Sequence, residues 1–457
     1  MELTRRTFLT LAAAAVAAPR AAGQAPADWP RFGCDLHNTR FNAAEKTIGP
    51  GNVGRLKLKW AFDAGGPIQT TPAVIGDSLY FGAFNGQQYA LDARSGKVRW
   101  TFDAGLDPDP DAATQGVRSS CEYVNGRLYF GSGLAKVHCL DAATGKEIWQ
   151  TLLDEKATEH RTQILCSPVV FDGKVLIGTS SGHAQAFCLD AENGIVRWRF
   201  DVVPTSEYGA GSIWTSGAID ETQRIVYFGT GSNKTFSPGP MLFTESMLAL
   251  DVDTGELLWF DQVRPASPHD LDFSCHPMIF DAASPSGRAA ARHCVAAGTK
   301  GGMYCYDRFT GERFWRAMLT NAGSGAGPRL NSTGVAYNRV YVVSNATGVP
   351  DRADMSVTAA LHAYTGEIVW WIANPSTTLG PIAIANGVLY QGFADGRLDA
   401  VDAETGKQLW TSRLPGMHRG GFAVANGMVY ASNGAPNTNR WDRSQRYALH
   451  AFSIDGA

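Results

Sequence analysis

The sequence lacks several features that would assign it to common functional classes. After residue 25 it has no uninterrupted apolar run of 18 residues, so no later segment predicts a membrane-spanning helix. It contains no Cys-x-x-Cys-His motif for covalent haem attachment and no Cys-x-x-Cys pair that would indicate zinc. The formal net charge is only -3, which excludes the strongly basic surface typical of nucleic-acid-binding proteins. We therefore expect a small molecule or another protein as the partner, with no nucleic acid and no membrane span.

The composition is that of a globular protein rich in turns. Of the 457 residues, 50 are glycine and 22 are proline, while 44% are hydrophobic and 18% are charged. This length is enough for two or three average domains, yet repeat folds and closed β folds often run longer as one unit. Internal repeats therefore decide the domain organisation.

The first 25 residues predict a signal peptide rather than part of the fold. Arg5 and Arg6 precede an apolar run, Leu9 to Ala18, that is too short to span a bilayer, and small residues follow it. The paired arginines favour twin-arginine export, with a chance pair in an ordinary secretory signal as the alternative. The sequence thus predicts a periplasmic or secreted protein whose mature part is residues 26–457.

One eleven-residue phrase recurs along the chain. In its commonest form it reads Asp-x-x-Thr-Gly-x-x-x-Trp, with Ala or Cys two residues before the aspartate. Its clear copies are Ala90–Trp100, Cys139–Trp149, Cys188–Trp198, Ala249–Trp259, Cys305–Trp315 and Ala400–Trp410. A seventh copy, His362–Trp370, lacks the aspartate, and an eighth is divided between Trp60 near one end and Ala448–Gly456 near the other. A position that accepts either Ala or Cys requires a small side chain, so these cysteines are interpreted as packing thiols.

Each copy predicts two strands joined by a turn, because Asp binds nearby backbone amides and Gly supplies a positive φ. Upstream of most copies lies another hairpin with alternating apolar residues around an Asn-Gly, Asp-Gly or Gly-Asp turn. The tryptophans are 40 residues apart at the closest (Trp60 to Trp100) and 61 at the widest (Trp198 to Trp259). Four strands in such a unit make one propeller blade. The sequence therefore predicts an all-β, eight-bladed β-propeller whose tryptophans dock on neighbouring blades and whose ring is closed by N- and C-terminal strands.

The repeated phrase resembles the tryptophan-docking motif of the quinoprotein dehydrogenases, eight-bladed propellers that bind pyrroloquinoline quinone at the ring axis. The resemblance covers essentially the whole mature chain, and the stretch Trp29–Trp60 is similar to the start of the polyvinyl alcohol dehydrogenase branch. Non-catalytic propellers, including an outer-membrane assembly factor, carry similar repeats. The repeats therefore indicate the fold more strongly than the activity.

Two segments outside the repeats resemble parts of the family's active site. Gly211–Asn233 is similar to the segment whose tryptophan lies beneath the quinone, which implies Trp214 as that floor and Asn233 as a metal ligand. Pro268–Cys275 is similar to the segment that carries the catalytic base. That resemblance implies Asp272 as the base and as a metal ligand, with Asp270 as a substitute.

Further residues follow from shorter matches. The segment from Lys300 to Gly311 closely matches the family's Lys-x-Gly-x-x-Tyr-x-x-Asp-Arg-x-Thr-Gly, which implies that Lys300 lies against the ortho-carbonyl edge of the quinone. Ser181 matches a serine that binds a cofactor carboxylate, and Gln69 occupies the position of a cofactor-binding glutamate. Arg127 is the candidate for a family arginine, displaced by one residue.

The sequence also departs from the family's pattern. The family commonly covers the quinone with a disulfide between adjacent cysteines, whereas Ser119-Ser120-Cys121 offers only one thiol. The loop after Ser181 gives His183-Ala184-Gln185 where the family has a metal-binding glutamate. These departures leave two hypotheses open.

In the first hypothesis the protein oxidises a small or polymeric alcohol with pyrroloquinoline quinone and calcium or another metal, then passes electrons to a separate acceptor such as a cytochrome c. Asp272 would take the alcohol proton, and Lys300 would stabilise negative charge on the quinone. The alternative is a non-catalytic propeller that acts as a binding or scaffold protein. Each proposed site residue also has an ordinary structural interpretation. The enzyme hypothesis therefore depends on the joint occurrence, in the family's order, of Trp214, Asn233, Asp272 and Lys300.

Overall fold

The computed structural model describes residues 27–106, 116–180, 184–203, 211–232, 241–265, 271–319, 330–345, 356–434, 441–442 and 444–457. The predicted signal peptide lies outside these residues. Within them, no helix is both long and apolar enough to cross a bilayer. The helical structure consists of one short α-helix, α1 (Ala157–His160), and one 3₁₀ turn (Val53–Arg55).

The rest of the regular structure is β-strand. The strands follow in chain order: β1 (Phe41–Asn42), β2 (Leu56–Asp63), β3 (Ala73–Ile75), β4 (Ser78–Gly82), β5 (Gln87–Asp92), β6 (Val98–Asp103), β7 (Glu122–Val124), β8 (Arg127–Gly131), β9 (Lys136–Asp141), β10 (Glu147–Leu152), β11 (Val169–Phe171), β12 (Lys174–Gly178), β13 (Gln185–Asp190), β14 (Val196–Asp201), β15 (Ala218–Asp220), β16 (Ile225–Gly229), β17 (Ser246–Asp251), β18 (Leu257–Gln262), β19 (Met278–Ala282), β20 (Arg292–Gly298), β21 (Gly302–Asp307), β22 (Arg313–Met318), β23 (Leu330–Ala336), β24 (Arg339–Asn345), β25 (Ser356–His362), β26 (Ile368–Asn374), β27 (Ala383–Ala385), β28 (Val388–Gly392), β29 (Arg397–Asp402), β30 (Gln408–Arg413), β31 (Ala423–Ala425), β32 (Met428–Ser432) and β33 (Ala448–Ile454).

These strands form eight sheets, each built on four antiparallel strands, the blades of a β-propeller; β1 adds to one of them by parallel pairing with β27. Blades 1 to 7 are β3–β6, β7–β10, β11–β14, β15–β18, β19–β22, β23–β26 and β27–β30, and blade 8 is β31, β32, β33 and β2. The first strands of successive blades contact one another in a closed series from blade 1 around to blade 8 and back to blade 1. The predicted eight-bladed ring is therefore confirmed.

Burial explains why the blades stack. The second and third strands of each blade are almost entirely buried, whereas the fourth strand is more exposed, as in β6, where exposed residues are mixed with half-buried ones. A blade on its own would expose both faces of its inner strands, so each blade needs two neighbours to bury them. All eight cysteines are free thiols, and the three at the repeat position (Cys139, Cys188 and Cys305) are fully buried.

The repeat tryptophans join neighbouring blades, as predicted. The indole nitrogen of Trp100 donates a hydrogen bond to the carbonyl oxygen of Ala142 in the next blade at 3.0 Å. Its ring lies on the repeat glycine of that blade, Gly145, where an added Cβ atom would be 2.6 Å from the ring. Gly145 also has a φ of +72°. The repeat glycine is thus required twice, by its backbone conformation and by the indole that covers it.

Blade 8 closes the ring with strands from both ends of the chain. Strand β2 pairs with β33 in antiparallel register, from Leu56 opposite Ile454 to Asp63 opposite Ala448. The indole nitrogen of Trp410 in blade 7 donates to the carbonyl oxygen of Leu56 at 3.0 Å, so the last tryptophan docks on the N-terminal strand. Because the ring is closed, each of the eight described blades packs against a blade on both sides.

A substitution in one turn should measure the contribution of tryptophan docking. We expect Gly145→Ala to lower the free energy of unfolding more than Gly173→Ala, whose parent glycine has a similar φ of +69° but nothing within 4 Å of an added Cβ. The control should cost about 1–2 kcal/mol for the left-handed conformation. Gly145→Ala should cost about 1–3 kcal/mol more, because its Cβ must displace the Trp100 ring. Chemical denaturation of both variants tests this, and equal losses would show that the indole contact is not tight.

The N-terminal segment, residues 27–42, runs around the inner rim of the ring; we call it the N-terminal strap. Its backbone or side chains hydrogen-bond to seven blades in their order around the ring. The partners are Val74 in blade 1, Tyr123 in blade 2, Ile219 in blade 4, Ile279 in blade 5, Val335 in blade 6, Ile384 in blade 7 and Val424 in blade 8. The strap therefore lies across one end of the central channel.

Candidate functional site

Segments that lead from the last strand of one blade to the first strand of the next, here called lead-in segments, reach the ring axis. In five of them a buried residue packs on the glycine that ends the second strand of the preceding blade, where any Cβ atom would collide with it. These pairs are Val117 with Gly82, Ile164 with Gly131, Ile213 with Gly178, Phe273 with Gly229 and His418 with Gly392. Side chains alternate along an extended segment, so the residue after each of these points toward the axis.

A cavity of about 190 Å³ lies on the axis. Its first layer consists of one residue from each of seven lead-in segments: Gln69, Arg118, Leu165, Trp214, Ser274, Leu379 and Arg419. Its second layer lies two residues further along five of these segments: Ser120, Ser167, Ser216, His276 and Pro381. Phe32 of the N-terminal strap also lines this axial cavity, and its ring centroid is 4.2 Å from that of His276. The cavity therefore extends from the level of Trp214 toward the strap.

A belt of hydrogen bonds links neighbouring lead-in segments around the second layer. The backbone nitrogen of Thr71 donates to Ser120 Oγ at 2.8 Å, that of Ser120 to Ser167 Oγ at 3.0 Å, and that of Ser167 to Ser216 Oγ at 2.8 Å. The belt ends where the Ser216 nitrogen donates to His276 Nδ1 at 2.9 Å. Each hydroxyl oxygen accepts an amide hydrogen, which leaves its own hydrogen for another acceptor.

The axial cavity is positively charged. Arg118 and Arg419 both line it, and burial together with the charge of Arg419 lowers the pKa of Arg118 to about 9, so that Arg118 stays charged at neutral pH. No acidic residue belongs to the cavity lining in the described part of the chain. Burial also lowers the pKa of His276 to about 3, so its ring is neutral. The arrangement suits a ligand that accepts hydrogen bonds and carries negative charge.

Asp272 and Lys300 form a buried ion pair beside the cavity. Lys300 Nζ lies 2.9 Å from Asp272 Oδ2, and the backbone nitrogen of Ser232 donates to Asp272 Oδ1 at 2.5 Å. The backbone nitrogen of Lys300 also donates to the backbone carbonyl oxygen of Asp272 at 3.1 Å. Each of the two residues is 4% exposed, so the pair is shielded from water. Because the lead-in segment runs toward the strap from Ser274 to His276, Asp272 lies on the cavity's opposite side.

The structure groups four of the residues that the sequence singled out into two pairs. Trp214 and Gln69 line the axial cavity, and Asp272 and Lys300 form an ion pair outside its lining. Arg127 does not join them. Ser181, Asn233 and Asp270 lie outside the described residues, so their roles stay predictions.

Arg127 lies at the turn of the neighbouring blade. Its Nη2 is 2.5 Å from Glu192 Oε1, and its Nη1 donates to the Ala191 carbonyl oxygen at 3.2 Å. The arginines that do line the cavity are Arg118 and Arg419, which the sequence analysis did not select. Arg127 does not reach the cavity because it is the first residue of β8 and its side chain contacts the turn of the neighbouring blade.

The cavity's polar lining was also missed. Arg419, His276 and the belt serines are spread over different segments, and each segment contributes only one or two positions. A signal does exist, since a hydroxyl residue or His precedes Pro, Cys or Gly at Thr71, Ser120, Ser167, Ser216 and His276. Aligning the lead-in segments by this register would have identified the lining.

The residues present fit a flat, acidic cofactor. Trp214 offers an aromatic surface, and the Arg118 Nε and Gln69 Nε2 atoms are buried donors without a hydrogen-bond partner among the described residues. A metal is a separate matter. Within the described ranges, no three His, Cys, Asp or Glu side chains come together as a metal site. The predicted metal ligand Asn233 is not among those residues.

Two family models match the chain. The model described as outer membrane protein assembly factor BamB matches residues 89–272, 244–370 and 353–443, and that of the glucose/ethanol/alcohol dehydrogenase β-propeller domain matches residues 29–123. The chain is 27% identical over 339 residues to quinohemoprotein alcohol dehydrogenase ADH-IIG of Pseudomonas putida, a match that covers 64% of the chain and 46% of the relative. It is 27% identical over 445 residues to polyvinylalcohol dehydrogenase of Sphingopyxis sp. (strain 113P3), covering 82% of the chain and 65% of the relative.

The fold matches solved structures as well. The crystal structure of quinohemoprotein alcohol dehydrogenase from Comamonas testosteroni superimposes with a TM-score of 0.80 at 21% identity, over 94% of this chain and 81% of that one. At this identity the similarity shows the fold. The chain spans about half the length of the first relative, at 46%.

Proposed function

We propose that this chain, which belongs to the propeller family whose model is described as outer membrane protein assembly factor BamB, oxidises an alcohol with pyrroloquinoline quinone bound at the ring axis. The match of residues 29–123 to the glucose/ethanol/alcohol dehydrogenase β-propeller domain supports this proposal. One observation carries the proposal: a buried carboxylate and a buried ammonium, Asp272 and Lys300, lie 2.9 Å apart, and Asp272 is two residues from Ser274, which lines the same cavity as Trp214. This is the combination of a proton acceptor, a cation and a flat aromatic surface that alcohol oxidation by a quinone requires.

When bound, the quinone supplies the redox chemistry by accepting a hydride equivalent from the alcohol carbon. The chain's own residues have simpler tasks. The Trp214 indole supports the ring system, and Arg118 and Gln69 supply donors to its acceptor groups. The Lys300 ammonium stabilises negative charge beside it, and the Asp272 carboxylate accepts the hydroxyl proton of the alcohol.

A calcium ion or another metal belongs to the proposal on the strength of the family resemblance. Asp272 and Asn233 are its proposed ligands. The two oxygens of Asp272 bind the Ser232 amide and the Lys300 ammonium, so a metal there would share them with these groups. Carboxylate and amide oxygens are suitable ligands for hard cations such as calcium.

We also propose export by the twin-arginine route to the periplasm and a cytochrome c as the electron acceptor. The relative in Pseudomonas putida is by name a quinohemoprotein. These 457 residues contain no motif for covalent haem attachment, so the haem of the proposed acceptor lies outside them. Arg5-Arg6 before the apolar run supports the export route.

The alternative function, a binding or scaffold propeller without a cofactor, is favoured by two observations. The family model that covers residues 89–443 is described by an outer membrane assembly factor. The sequence also lacks the adjacent cysteine pair and the metal-binding glutamate expected from the family resemblance. In the structure Ser120 lines the cavity and Cys121 is a buried free thiol.

A quinone titration separates the two functions. Purified mature protein is mixed with pyrroloquinoline quinone and either calcium or a lanthanide, and the absorbance spectrum of bound quinone is recorded. We expect saturable binding with at least one metal, followed by alcohol-dependent reduction of an artificial dye. Samples without alcohol and samples without quinone are the controls. Failure to bind quinone with either metal would eliminate the enzyme and leave the scaffold.

A further inference from the structure

We propose that Arg118 and Arg419, together with Gln69, form a carboxylate-binding site in the axial cavity. The carboxylate belongs either to the quinone cofactor or to a free organic acid. Only the first source rests on the proposed function. Neither arginine was implied by the family resemblance, which pointed to Arg127 instead.

Unpaired donors at the cavity carry the proposal. The Nε of Arg118 and the Nε2 of Gln69 are buried, and neither has a hydrogen-bond partner in the described parts of the chain. A buried donor without an acceptor costs free energy, so native proteins rarely retain one without a reason. The only hydrogen bond described for Arg118 is a long one, from Nη1 to Gln163 Oε1 at 3.4 Å. The guanidinium therefore has most of its five N–H groups left for a ligand.

The position of Arg118 is fixed even without such a ligand. Its guanidinium carbon lies 5.4 Å from the centroid of the Phe84 ring, and its backbone follows Val117, which packs on Gly82. Arg419 follows His418 in the same way, on the glycine of blade 7. Two rigid backbone positions thus bring two guanidinium side chains to one cavity, and a guanidinium is a suitable donor to a carboxylate.

The second layer of the cavity offers further donors. The Ser120, Ser167 and Ser216 hydroxyl oxygens already accept amide hydrogens within the belt, so each can donate its own hydrogen. The neutral His276 ring accepts at Nδ1 from Ser216, which places its hydrogen on Nε2. A carboxylate accepts several hydrogen bonds and donates none, so it complements a lining made of donors.

The chemistry selects a carboxylate over a neutral ligand. A planar guanidinium binds a carboxylate through two parallel hydrogen bonds, and these charge-assisted bonds are stronger than neutral ones. No Asp or Glu lines the cavity within the described parts of the chain, so no carboxylate of those residues occupies the proposed site. A carboxylate-bearing ligand would satisfy the donors and separate the two positive charges.

The experiment compares the wild-type protein with Arg118→Gln and with a control, Arg94→Gln. Arg94 is an exposed arginine in a blade turn, paired with Asp77, so the control removes the same charge outside the cavity. Thermal unfolding and calorimetric binding are measured without quinone in malonate and in sodium chloride of equal ionic strength. We expect malonate to stabilise the wild type and the control and to bind Arg118→Gln about ten- to a hundredfold more weakly, the effect of losing a charged hydrogen bond.

A second measurement distinguishes a binding role from a structural one. Without ligand, Arg118→Gln should unfold at a temperature no lower than that of the wild type, because the substitution removes repulsion from Arg419. A structural arginine would instead lower it. Arg118→Lys retains the charge without the planar fork, so it should recover part of the malonate affinity.

Quinone binding identifies the source of the carboxylate. If the Arg118→Gln variant loses quinone affinity but the wild type does not bind malonate, the cofactor's own carboxylates occupy the site. If malonate binds the wild type more tightly than Arg118→Gln and no quinone binds, the carboxylate site is confirmed and the proposed oxidation of alcohols is wrong. If Arg118→Gln binds both ligands as the wild type does, the carboxylate site is wrong, whatever the outcome for activity.

Discussion

Replacement of Asp272 by asparagine is expected to lower kcat for alcohol oxidation by a factor of about 10² to 10⁴, the usual contribution of a positioned general base. Asparagine has nearly the same shape and can still accept the Ser232 amide hydrogen through its side-chain oxygen. It cannot take a proton from the alcohol, and its amide nitrogen cannot pair with the Lys300 ammonium. Steady-state dye reduction with saturating quinone measures the effect.

The control for this variant is Asp220→Asn. Asp220 is also a buried carboxylate in an ion pair, 2.8 Å from the Nε of Arg308, but it does not line the axial cavity. Both variants should lose stability because a buried cation loses one carboxylate partner, and only Asp272→Asn should lose turnover at temperatures where both are folded. An Asp272→Asn protein with nearly wild-type kcat and bound quinone would remove Asp272 from the mechanism.

Replacement of Arg40 by methionine should lower the free energy of unfolding by about 2–4 kcal/mol, because two backbone acceptors lose a buried donor. Arg40 is 1% exposed, and its Nε and Nη1 donate to the carbonyl oxygens of Ile382 and Phe32 at 2.5 and 2.9 Å. Its guanidinium carbon also lies 4.5 Å from the centroid of the Phe32 ring. Methionine preserves the length and the apolar contacts of this side chain but removes all of its donors.

Part of the loss is offset. Burial lowers the pKa of Arg40 to about 9, which shows that the cation is held at some cost, and a neutral side chain avoids that cost. Urea denaturation of Arg40→Met beside Arg94→Met, an exposed arginine, measures the remainder. If the two variants were equally stable, the strap would contribute little to the folded state.

The sequence predicted the repeating part of the molecule because the same physical requirement occurs in every blade. Seven of the interfaces combine an indole, a carbonyl oxygen and a glycine, so the Asp-x-x-Thr-Gly-x-x-x-Trp phrase records the contact between blades. At the eighth interface Trp410 donates to the Leu56 carbonyl oxygen without a glycine of the described residues beneath its ring. The closing strands were predictable for the same reason, since Trp60 and the Ala448–Ile454 strand complete an eighth copy. Three residues of the candidate site, Trp214, Asp272 and Lys300, were found through their segments rather than singly.

The rest depended on contacts that no single segment reveals. The axial cavity takes one or two residues from each lead-in segment, so its arginines are separated by 301 positions, from Arg118 to Arg419. The strap has no periodicity because its partners are edges of different blades, and its register is set by the ring. Arg127 was selected by similarity alone, and its place in β8 directs its side chain to a neighbouring turn.

The strap also constrains the order in which the molecule can assemble. It is made before any blade, yet its hydrogen-bond partners extend to Val424, and the strand that follows it pairs with residues 448–454. The earliest part of the polypeptide therefore stays without its final neighbours until the latest part has been synthesised, and contacts this distant in sequence form slowly. The strap consequently cannot complete its contacts around the axial cavity until blade 8 has formed.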